Sequence, residues 1–280
     1  MDLSVLHKKD FFPSFVANKL VNTQIDYTEK YQHIKDSVKT GVNQLGAGVV
    51  LLLNYKEAVP SKAEYVFQLI KRSDNVSQAG DISCPGGMLH PITDKILSNV
   101  LTTGLIPSLN NQILYTAAEK DRASTKLIRL FLTNAIREAW EEVGLSPFNV
   151  VFLGALPCYS LKLFARTIFP LVCLTVKPFE FKLSSEVDKI IEIPISNFYE
   201  SSNYAILKIE TPSGNNASGN NQFPCILISD NQGGQEILWG ATFNIIMNFL
   251  DIISGESVPV PSSSKIIKKV LSINYITGHN

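Results

Sequence analysis

The amino-acid sequence predicts an α/β fold, namely an α/β/α sandwich built around a mixed β-sheet. Three observations predict it: several apolar stretches have the composition of strands, one long amphipathic helix separates two groups of these strands, and a second apolar helix follows the later group. The chain has 280 residues, of which 45% are hydrophobic, and it can therefore bury a large core.

The earliest strands are predicted to pair as a β-hairpin. Residues 46–55 form a nearly continuous apolar run that suits a central strand, and residues 64–72 alternate in polarity as a neighbouring strand would. Residues 1–45 are polar and mixed, so we interpret them as an N-terminal extension packed on the domain, with a short helix at 27–40. The Gly, Pro, Ser and Asp residues of 73–88 predict a loop.

A long helix is predicted from Thr125 to Val143, because apolar side chains recur there at helical spacing. This apolar stripe consists of Ile128, Leu132, Ile136, Ala139, Trp140 and Val143. Gly144, followed by Pro147, predicts the end of the helix.

The segment before this helix, residues 95–124, is interpreted as an insertion. A short helix is predicted at 93–105, and the segment 106–112 breaks it. The role of the insertion stays open between a dimer contact and an active-site lid, and a homodimer is therefore left open as well.

The second half of the chain returns to strands and ends in helices. Strands are predicted at 149–156, 166–176, 187–195, 204–210 and 223–229, with a flexible polar connector at 211–222. An apolar helix is predicted at 239–253 and a short terminal helix near 263–271. We expect residues 46–255 to form the main domain and 256–280 a C-terminal extension.

Composition and charge exclude several classes of partner. Lys plus Arg equals Asp plus Glu at 25 each, so no overall field attracts nucleic acid or an anionic membrane. The sequence contains no secretory leader and no apolar run long enough to span a membrane. Its four cysteines are widely spaced and predict free thiols in a reducing compartment. We expect the cytoplasm. A peroxisomal location stays open, although the C-terminal residues match no recognisable peroxisomal signal.

Three glutamates share one face of the long helix close to its end. Glu138, Glu141 and Glu142 fall within an arc of roughly 100°. Each like-charge pair costs about 0.2–0.5 kcal/mol, and the helix dipole adds about 0.3–1 kcal/mol per carboxylate, while Arg137 supplies one positive charge. Two interpretations are open: solvated carboxylates opposite the apolar stripe, or ligands of a hard divalent cation that reverses their repulsion.

A second motif precedes the helix. The segment Cys-Pro-Gly-Gly-Met at 84–88 holds paired glycines, which let backbone approach a ligand closely. Together with Arg-Glu-Ala-Trp-Glu-Glu-Val-Gly-Leu at 137–145, it resembles the Nudix hydrolase signature, in which Gly and Glu precede Arg-Glu-apolar-x-Glu-Glu-x-Gly-apolar. The second half is intact. In the first half, Thr93 stands where the resemblance places Glu, next to Asp94, and the insertion delays the helix.

The resemblance implies a Nudix-type α/β/α sandwich and metal-dependent hydrolysis of a nucleoside diphosphate linked to another group. Glu138 and Glu142 then look like the main ligands of Mg²⁺ or Mn²⁺, with Glu141 a further ligand or acid/base partner. Arg137 looks like the residue that orients the glutamates, and a carbonyl of Gly86 or Gly87 like an additional ligand. Glu186 is our candidate for the general base; the alternative is a surface glutamate at a strand end.

Within that family the flanking segments are similar to those of coenzyme A diphosphatases. The matching residues before the helix are Arg72, Ser73, Gly80, Pro85, Gly86 and Gly87. This likeness implies hydrolysis of coenzyme A or acyl-CoA to (acyl-)phosphopantetheine and 3′,5′-ADP. It also implies that Arg72, Ser73 and Gly86 contact the nucleotide substrate, with no nucleic acid or membrane as partner.

Two alternative functions stay open. An Arg, a Gln and a Phe of the coenzyme A diphosphatase segment are replaced or lost around Ser77, Asp81 and Cys84, which also admits a Nudix diphosphatase for ADP-ribose, NADH or a nucleotide sugar. The other alternative is a non-catalytic Nudix nucleotide-binding module. All three helix glutamates are retained, which argues against the non-catalytic module.

Overall fold

The computed structural model describes residues 3–39, 41, 44–57, 63–161, 165–210, 221–229, 234–258, 260, 265–271 and 275. Its helices are α1 (Phe12–Val21), α2 (Tyr27–Lys39), α3 (Pro91–Thr102), α4 (Gln112–Lys120), α5 (Arg122–Val143) and α6 (Gly240–Ser254). Its strands are β1 (Leu45–Lys56), β2 (Glu64–Arg72), β3 (Ile82–Ser83), β4 (Gly86–Met88), β5 (Val150–Ala155), β6 (Tyr159–Leu161), β7 (Arg166–Thr175), β8 (Val187–Pro194), β9 (Tyr204–Glu210), β10 (Gln222–Ser229), β11 (Gln235–Leu238) and β12 (Ile266–Val270).

The central sheet is mixed and has eight strands, arranged around β1. Strand β1 pairs antiparallel with β2 and β4 and parallel with β7, which confirms the predicted β1–β2 hairpin. Strands β5 and β6 pair antiparallel with β7, and β8 pairs antiparallel with β2. The short β4 lies beside the first half of β1 and brings the paired glycines to one end of the sheet.

Helices cover both faces of this sheet. On one face, α1 and α6 pack against alternate side chains of the strands, among them Leu51 and Phe67. On the other face, α2 and α5 pack against Leu52 and Phe169, with Phe131 of α5 stacked on the Phe169 ring at 3.7 Å between centroids. The predicted α/β/α sandwich around a mixed sheet is confirmed.

A second sheet of four strands lies in the order β11-β10-β9-β12. The predicted terminal helix near 263–271 is wrong, because Ile266–Val270 forms strand β12, parallel to β9. The segment Ile266–Val270 is too short to form a stable isolated helix, and its β-branched side chains favour a strand. The edge of β9 offers it backbone hydrogen-bond partners. Residues 263 and 264 of that prediction, and residues 211–220 of the predicted connector, lie outside the described residues.

Helix α5 begins earlier than predicted, and one residue of the predicted stripe is exposed. It begins at Arg122 after the Asp121 cap, which accepts hydrogen bonds from two backbone N–H groups, and it ends at Gly144, where φ is +73° as predicted for a glycine stop. Trp140 is 61% exposed, so its predicted place in the buried stripe is wrong. The other five residues of the predicted stripe are buried, and the buried face also extends to Phe131 and Glu142, because α5 packs against β1 and β4.

The insertion is largely helical. The predicted short helix is confirmed as α3, whereas α4 was not expected, since Asn111 serves as its N-cap and not as a breaker. Helix α1 in the N-terminal extension was also not expected; the α2 prediction is confirmed. No helix within the described ranges is both long and apolar enough to cross a bilayer.

Candidate active site

The end of α5 contacts Gly86 and Gly87, which begin strand β4 just after a bend at Pro85 and are called the Gly-Gly turn below. The Gly86 N–H donates a hydrogen bond to Glu142 Oε2 at 2.9 Å, and Glu142 is only 6% exposed. A methyl group added to Gly87 would overlap the carboxylate of Glu138. The interpretation of these glutamates as a solvated helix face is therefore wrong for Glu142.

The turn reaches the helix because glycine permits close backbone packing. Gly86 has φ +144°, a conformation that residues with side chains rarely adopt, and a side chain there would collide with the backbone of Gly48 and Val49. In the β1–β4 ladder, Gly87 lies opposite Gly48. The Pro-Gly-Gly segment is thus built into the sheet edge and does not form an isolated loop.

A buried asparagine fixes the helix onto this turn. Asn134 is fully buried; its Oδ1 accepts a hydrogen bond from Gly48 N–H at 2.8 Å, and its Nδ2 donates one to the Met88 carbonyl at 3.0 Å. It therefore joins α5 to both β1 and β4 one turn before Glu138. Sequence reasoning missed Asn134, although an Asn inside a long helix is a weak signal because its helix propensity is poor.

Arg137 holds the glutamates from one side. Its Nε donates to Asp94 Oδ1 at 2.8 Å, and its two terminal nitrogens lie 2.7 Å from Glu138 Oε1 and 3.0 Å from Glu141 Oε2. Asp94 is fully buried in the first turn of α3, and it also accepts the His90 N–H at 2.7 Å. Asp94 anchors Arg137, a role that sequence reasoning missed although this carboxylate stands next to Thr93.

Burial disfavours the charged forms of the Glu138 and Glu142 carboxylates. Burial raises the pKa of Glu142 to about 7, against the opposing effects of the Gly86 N–H and the Arg72 charge, and the charges of Glu138 and Glu186 raise it further. Burial also raises the pKa of Glu138, against the charge of Arg137. At this position, Glu138 and Glu142 are therefore more stable when they are protonated or when a cation compensates their negative charge.

The donor set fits a hard divalent cation that is completed by other ligands. Within the described part of the chain, no three His, Cys, Asp or Glu side chains gather closely enough to hold a metal by themselves. Mg²⁺ takes one or two carboxylates together with waters and substrate phosphates. Glu138 and Glu142 match that demand. The side chain of Glu141 is 60% exposed and turned toward Arg137.

Three further predicted residues, Arg72, Ser73 and Glu186, lie at the adjoining strand ends. Ser73, after β2, donates its N–H to the Glu186 carbonyl at 2.9 Å and its hydroxyl to the Ser185 carbonyl at 2.8 Å. Ser184 N–H donates to the Glu142 carbonyl at 2.9 Å, which ties this loop to the end of α5. Glu186 is exposed beside Glu142, while Arg72 donates from Nε to the Ser77 carbonyl at 2.8 Å.

Two open pockets lie elsewhere in the fold. One of about 340 Å³ lies beside the start of α5, where Ile25, Ile128 and Phe152 contribute to its lining. Another of about 320 Å³ lies along α6 and the segment before β6. None of the predicted site residues lines either cavity.

Comparison with known proteins yields solved structures only. No protein-family model matches the chain, and no curated protein matches it. Similar solved structures include an Ap4A hydrolase from C. elegans, with 13% identity over 54% of this chain and 80% of the other and a TM-score of 0.34. They also include the Nudix hydrolase RenU from M. smegmatis, with 14% identity, 54% and 71% coverage and a TM-score of 0.33.

A third similar structure is the MutT protein from Methanosarcina mazei Go1, with 17% identity, 55% and 79% coverage and a TM-score of 0.31. At these scores the likeness carries no argument about the activity of this chain. The functional interpretation therefore depends on the motif residues and on the contacts described above.

Proposed function

We propose that this protein is a divalent-metal-dependent diphosphatase that hydrolyses coenzyme A or acyl-CoA to (acyl-)phosphopantetheine and 3′,5′-ADP. One observation carries the proposal: the buried carboxylate of Glu142 and the partly buried carboxylate of Glu138 meet the Gly-Gly turn, with the positive charge of Arg72 close by. Hard oxygen donors, a cation and closely approaching backbone together suit a metal-bound diphosphate. The choice of coenzyme A rests on the flanking sequence alone.

The proposal gives each site residue a role. Glu138 and Glu142 are ligands of Mg²⁺ or Mn²⁺, Glu141 is a further ligand or proton-transfer partner, and a carbonyl of Gly86 or Gly87 is an additional ligand. Arg137 orients the glutamates, and Arg72, Ser73 and Gly86 contact the substrate. When bound, the ion neutralises diphosphate charge and makes water more acidic.

Glu186 is proposed as the general base. It accepts a proton from the attacking water, whose oxygen bonds to one phosphorus while the bond from that phosphorus to the bridging oxygen breaks. The bridging oxygen leaves with the second phosphate, so one diphosphate and one water give two phosphomonoesters. The exposure of Glu186 and its electrostatic influence on Glu142 support this assignment.

We further propose a catalytic unit of residues 46–255 that includes the insertion at about 95–124, with 1–45 and 256–280 as extensions. A cytoplasmic setting is proposed because Cys84, Cys158, Cys173 and Cys225 are all free thiols.

The test is hydrolysis of a substrate panel by wild type and Glu142→Gln. The panel contains coenzyme A, an acyl-CoA, ADP-ribose, NADH and a nucleotide sugar, each with Mg²⁺ and with Mn²⁺. Glutamine keeps the acceptor for Gly86 N–H but removes the charge, so we expect kcat/KM to fall at least about 100-fold. Glu119→Gln, an exposed change on α4, is the matched control.

Three outcomes separate the alternatives. Preferred turnover of coenzyme A supports the proposal, and preferred turnover of another diphosphate replaces the substrate while keeping the site. Nucleotide binding without turnover under either metal identifies a binding module instead. Equal rates for wild type and Glu142→Gln contradict the assigned metal role.

A further inference from the structure

Two arginines lie at the sheet end that carries the candidate site. Arg72 is the last residue of β2, and Arg166 is the first residue of β7. In the parallel β1–β7 ladder, Arg166 lies opposite Leu45, at the start of β1. The Gly86–Met88 strand pairs with β1 only two to four residues further on, at Ala47–Val49. The topology therefore brings both arginines to the edge where the Gly-Gly turn meets Glu142.

Neither arginine forms a salt bridge with the residues that the structure describes, although Arg72 lies within electrostatic reach of the Glu142 carboxylate. The nitrogens of Arg137, in contrast, all meet carboxylates, those of Asp94, Glu138 and Glu141. Arg72 donates one hydrogen bond, from Nε to a backbone carbonyl. The Nε of Arg166 is buried and has no hydrogen-bond partner within the described part of the chain.

The two guanidinium groups also influence each other. Burial lowers the pKa of Arg166, and the positive charge of Arg72 lowers it further. The charge of Arg72 also acts on Glu142, so Arg72 lies within electrostatic reach of both Arg166 and that carboxylate. Like charges held together in a partly desolvated place are unfavourable unless an anion joins them.

The unpartnered nitrogen of Arg166 is informative because of its location. Arg129 on α5 also has a buried Nε without a partner among the described residues, but it lies more than two helical turns before Glu138. Arg166, by contrast, has its unpartnered Nε at the sheet end that also carries Arg72 and the candidate metal ligands Glu138 and Glu142. A planar guanidinium with free N–H groups is suited to phosphate, which it binds with two parallel hydrogen bonds.

We infer that Arg166, together with Arg72, forms a binding site for a phosphate group of the substrate. This inference rests on the proposed function, which it deepens by naming a second contact for the anionic substrate. The phosphate has two possible sources in coenzyme A: the diphosphate itself and the phosphomonoester on the ribose. Both offer the same oxygen acceptors.

Equilibrium binding without metal tests the inference independently of catalysis. Inorganic pyrophosphate and 3′,5′-ADP are titrated by calorimetry in EDTA against wild type, Arg166→Gln, Arg166→Lys and the control Arg129→Gln. We expect Arg166→Gln to weaken binding of at least one probe about 10- to 100-fold, the loss of one charge-assisted contact. Arg166→Lys keeps the positive charge but lacks the paired N–H donors of a guanidinium, so it should bind more tightly than Arg166→Gln and more weakly than wild type. The control Arg129→Gln should bind as wild type does.

A thermal melt separates lost binding from lost folding. Arg166→Gln removes a like charge, so its melting temperature without ligand should not fall below that of wild type. The increase in melting temperature on adding 3′,5′-ADP should be smaller than in wild type. Equal affinities for both probes in wild type and Arg166→Gln would overturn the inference.

Turnover then identifies the phosphate. If Arg166→Gln raises KM for coenzyme A but not for dephospho-coenzyme A, the site binds the phosphomonoester; if KM rises for both, it binds the diphosphate. Either result supports the inference. Turnover by wild type with no change in Arg166→Gln would overturn the inference and leave the proposed function standing. Binding that depends on Arg166, in a protein that turns over none of the substrates, would support the phosphate site and overturn the proposed hydrolase function.

Discussion

The two sides of the candidate site are held in different ways. On the helix side, Arg137, Glu138 and Glu141 are neighbours within one turn of α5, and their contacts with each other are local. On the loop side, between Ser73 and Met88, the supporting partners come from distant parts of the chain. A local pattern predicts the glutamates and the arginine of the helix side from sequence. Only the folded chain shows the distant contacts, which are those of Asp94 and Asn134 on the helix side and those that support the loop side.

Asp81 is the centre of support for the loop. Its carboxylate accepts hydrogen bonds from Trp239 Nε1 at 3.2 Å, from Lys269 Nζ at 2.6 Å and from the hydroxyl of Tyr275. The Gln78 N–H donates to the Tyr275 carbonyl at 2.6 Å. The second sheet and the C-terminal segment therefore brace the loop that leads to the Gly-Gly turn.

The largest effect is expected from Gly86→Ala, where the two sides meet. The added methyl collides with the backbone of β1 at a φ of +144°, so the turn must move away from Glu142. We expect a loss of about 3–5 kcal/mol in the free energy of unfolding, measured by urea denaturation.

Gly80→Ala is the matched control for this change. Gly80 also has positive φ, at +71°, but nothing lies within 4 Å of an added Cβ. The Gly80→Ala change should lower the free energy of unfolding by about 1–2 kcal/mol. Equal losses for the two variants would show that the close approach of the turn to β1 does not matter.

A smaller effect is expected from Asn134→Ala, which cuts the connection between the helix and the turn. The change leaves the Gly48 N–H and the Met88 carbonyl buried without their partner. We expect a loss of about 2–4 kcal/mol on urea denaturation. Thr133→Ala, which removes one hydroxyl bonded to the Arg129 carbonyl, should cost less than about 1 kcal/mol. A similar cost for both would refute the role of Asn134.

The smallest effect is expected from Tyr275→Phe, which removes one brace from the loop side alone. We expect a loss of about 0.5–1.5 kcal/mol, with faster amide hydrogen exchange at Gln78 and Asp81 and unchanged exchange in α5. Tyr31→Phe is the control, because no hydrogen bond of its hydroxyl to the described residues is present. Faster exchange in α5 as well would contradict the independence of the two sides.

The same contrast explains how far the sequence could predict the molecule. The sheet, α5 and its glycine stop follow from periodicity and turn chemistry, and the expectation that the Pro-Gly-Gly segment lies near the α5 glutamates follows from the resemblance of the two motifs to a known signature. The hydrogen bond from Gly86 N–H to Glu142 was not predicted. The roles of Asn134, Asp94 and Asp81 could not follow, because each depends on partners brought together by folding. Strand β12 was missed for the same reason, since its conformation is set by the edge of β9.

The measurement that tests the central claim most directly is the unfolding free energy of wild type, Glu142→Gln and Glu119→Gln in EDTA and in MgCl₂. In EDTA, Glu142→Gln should be at least as stable as wild type, because the amide removes a buried charge. With Mg²⁺ at about 100 times its Kd, wild type and Glu119→Gln should each gain about 2.7 kcal/mol, and Glu142→Gln much less. An equal gain in all three proteins, or a gain in none, would contradict the claim that buried carboxylates at the Gly-Gly turn form a metal site.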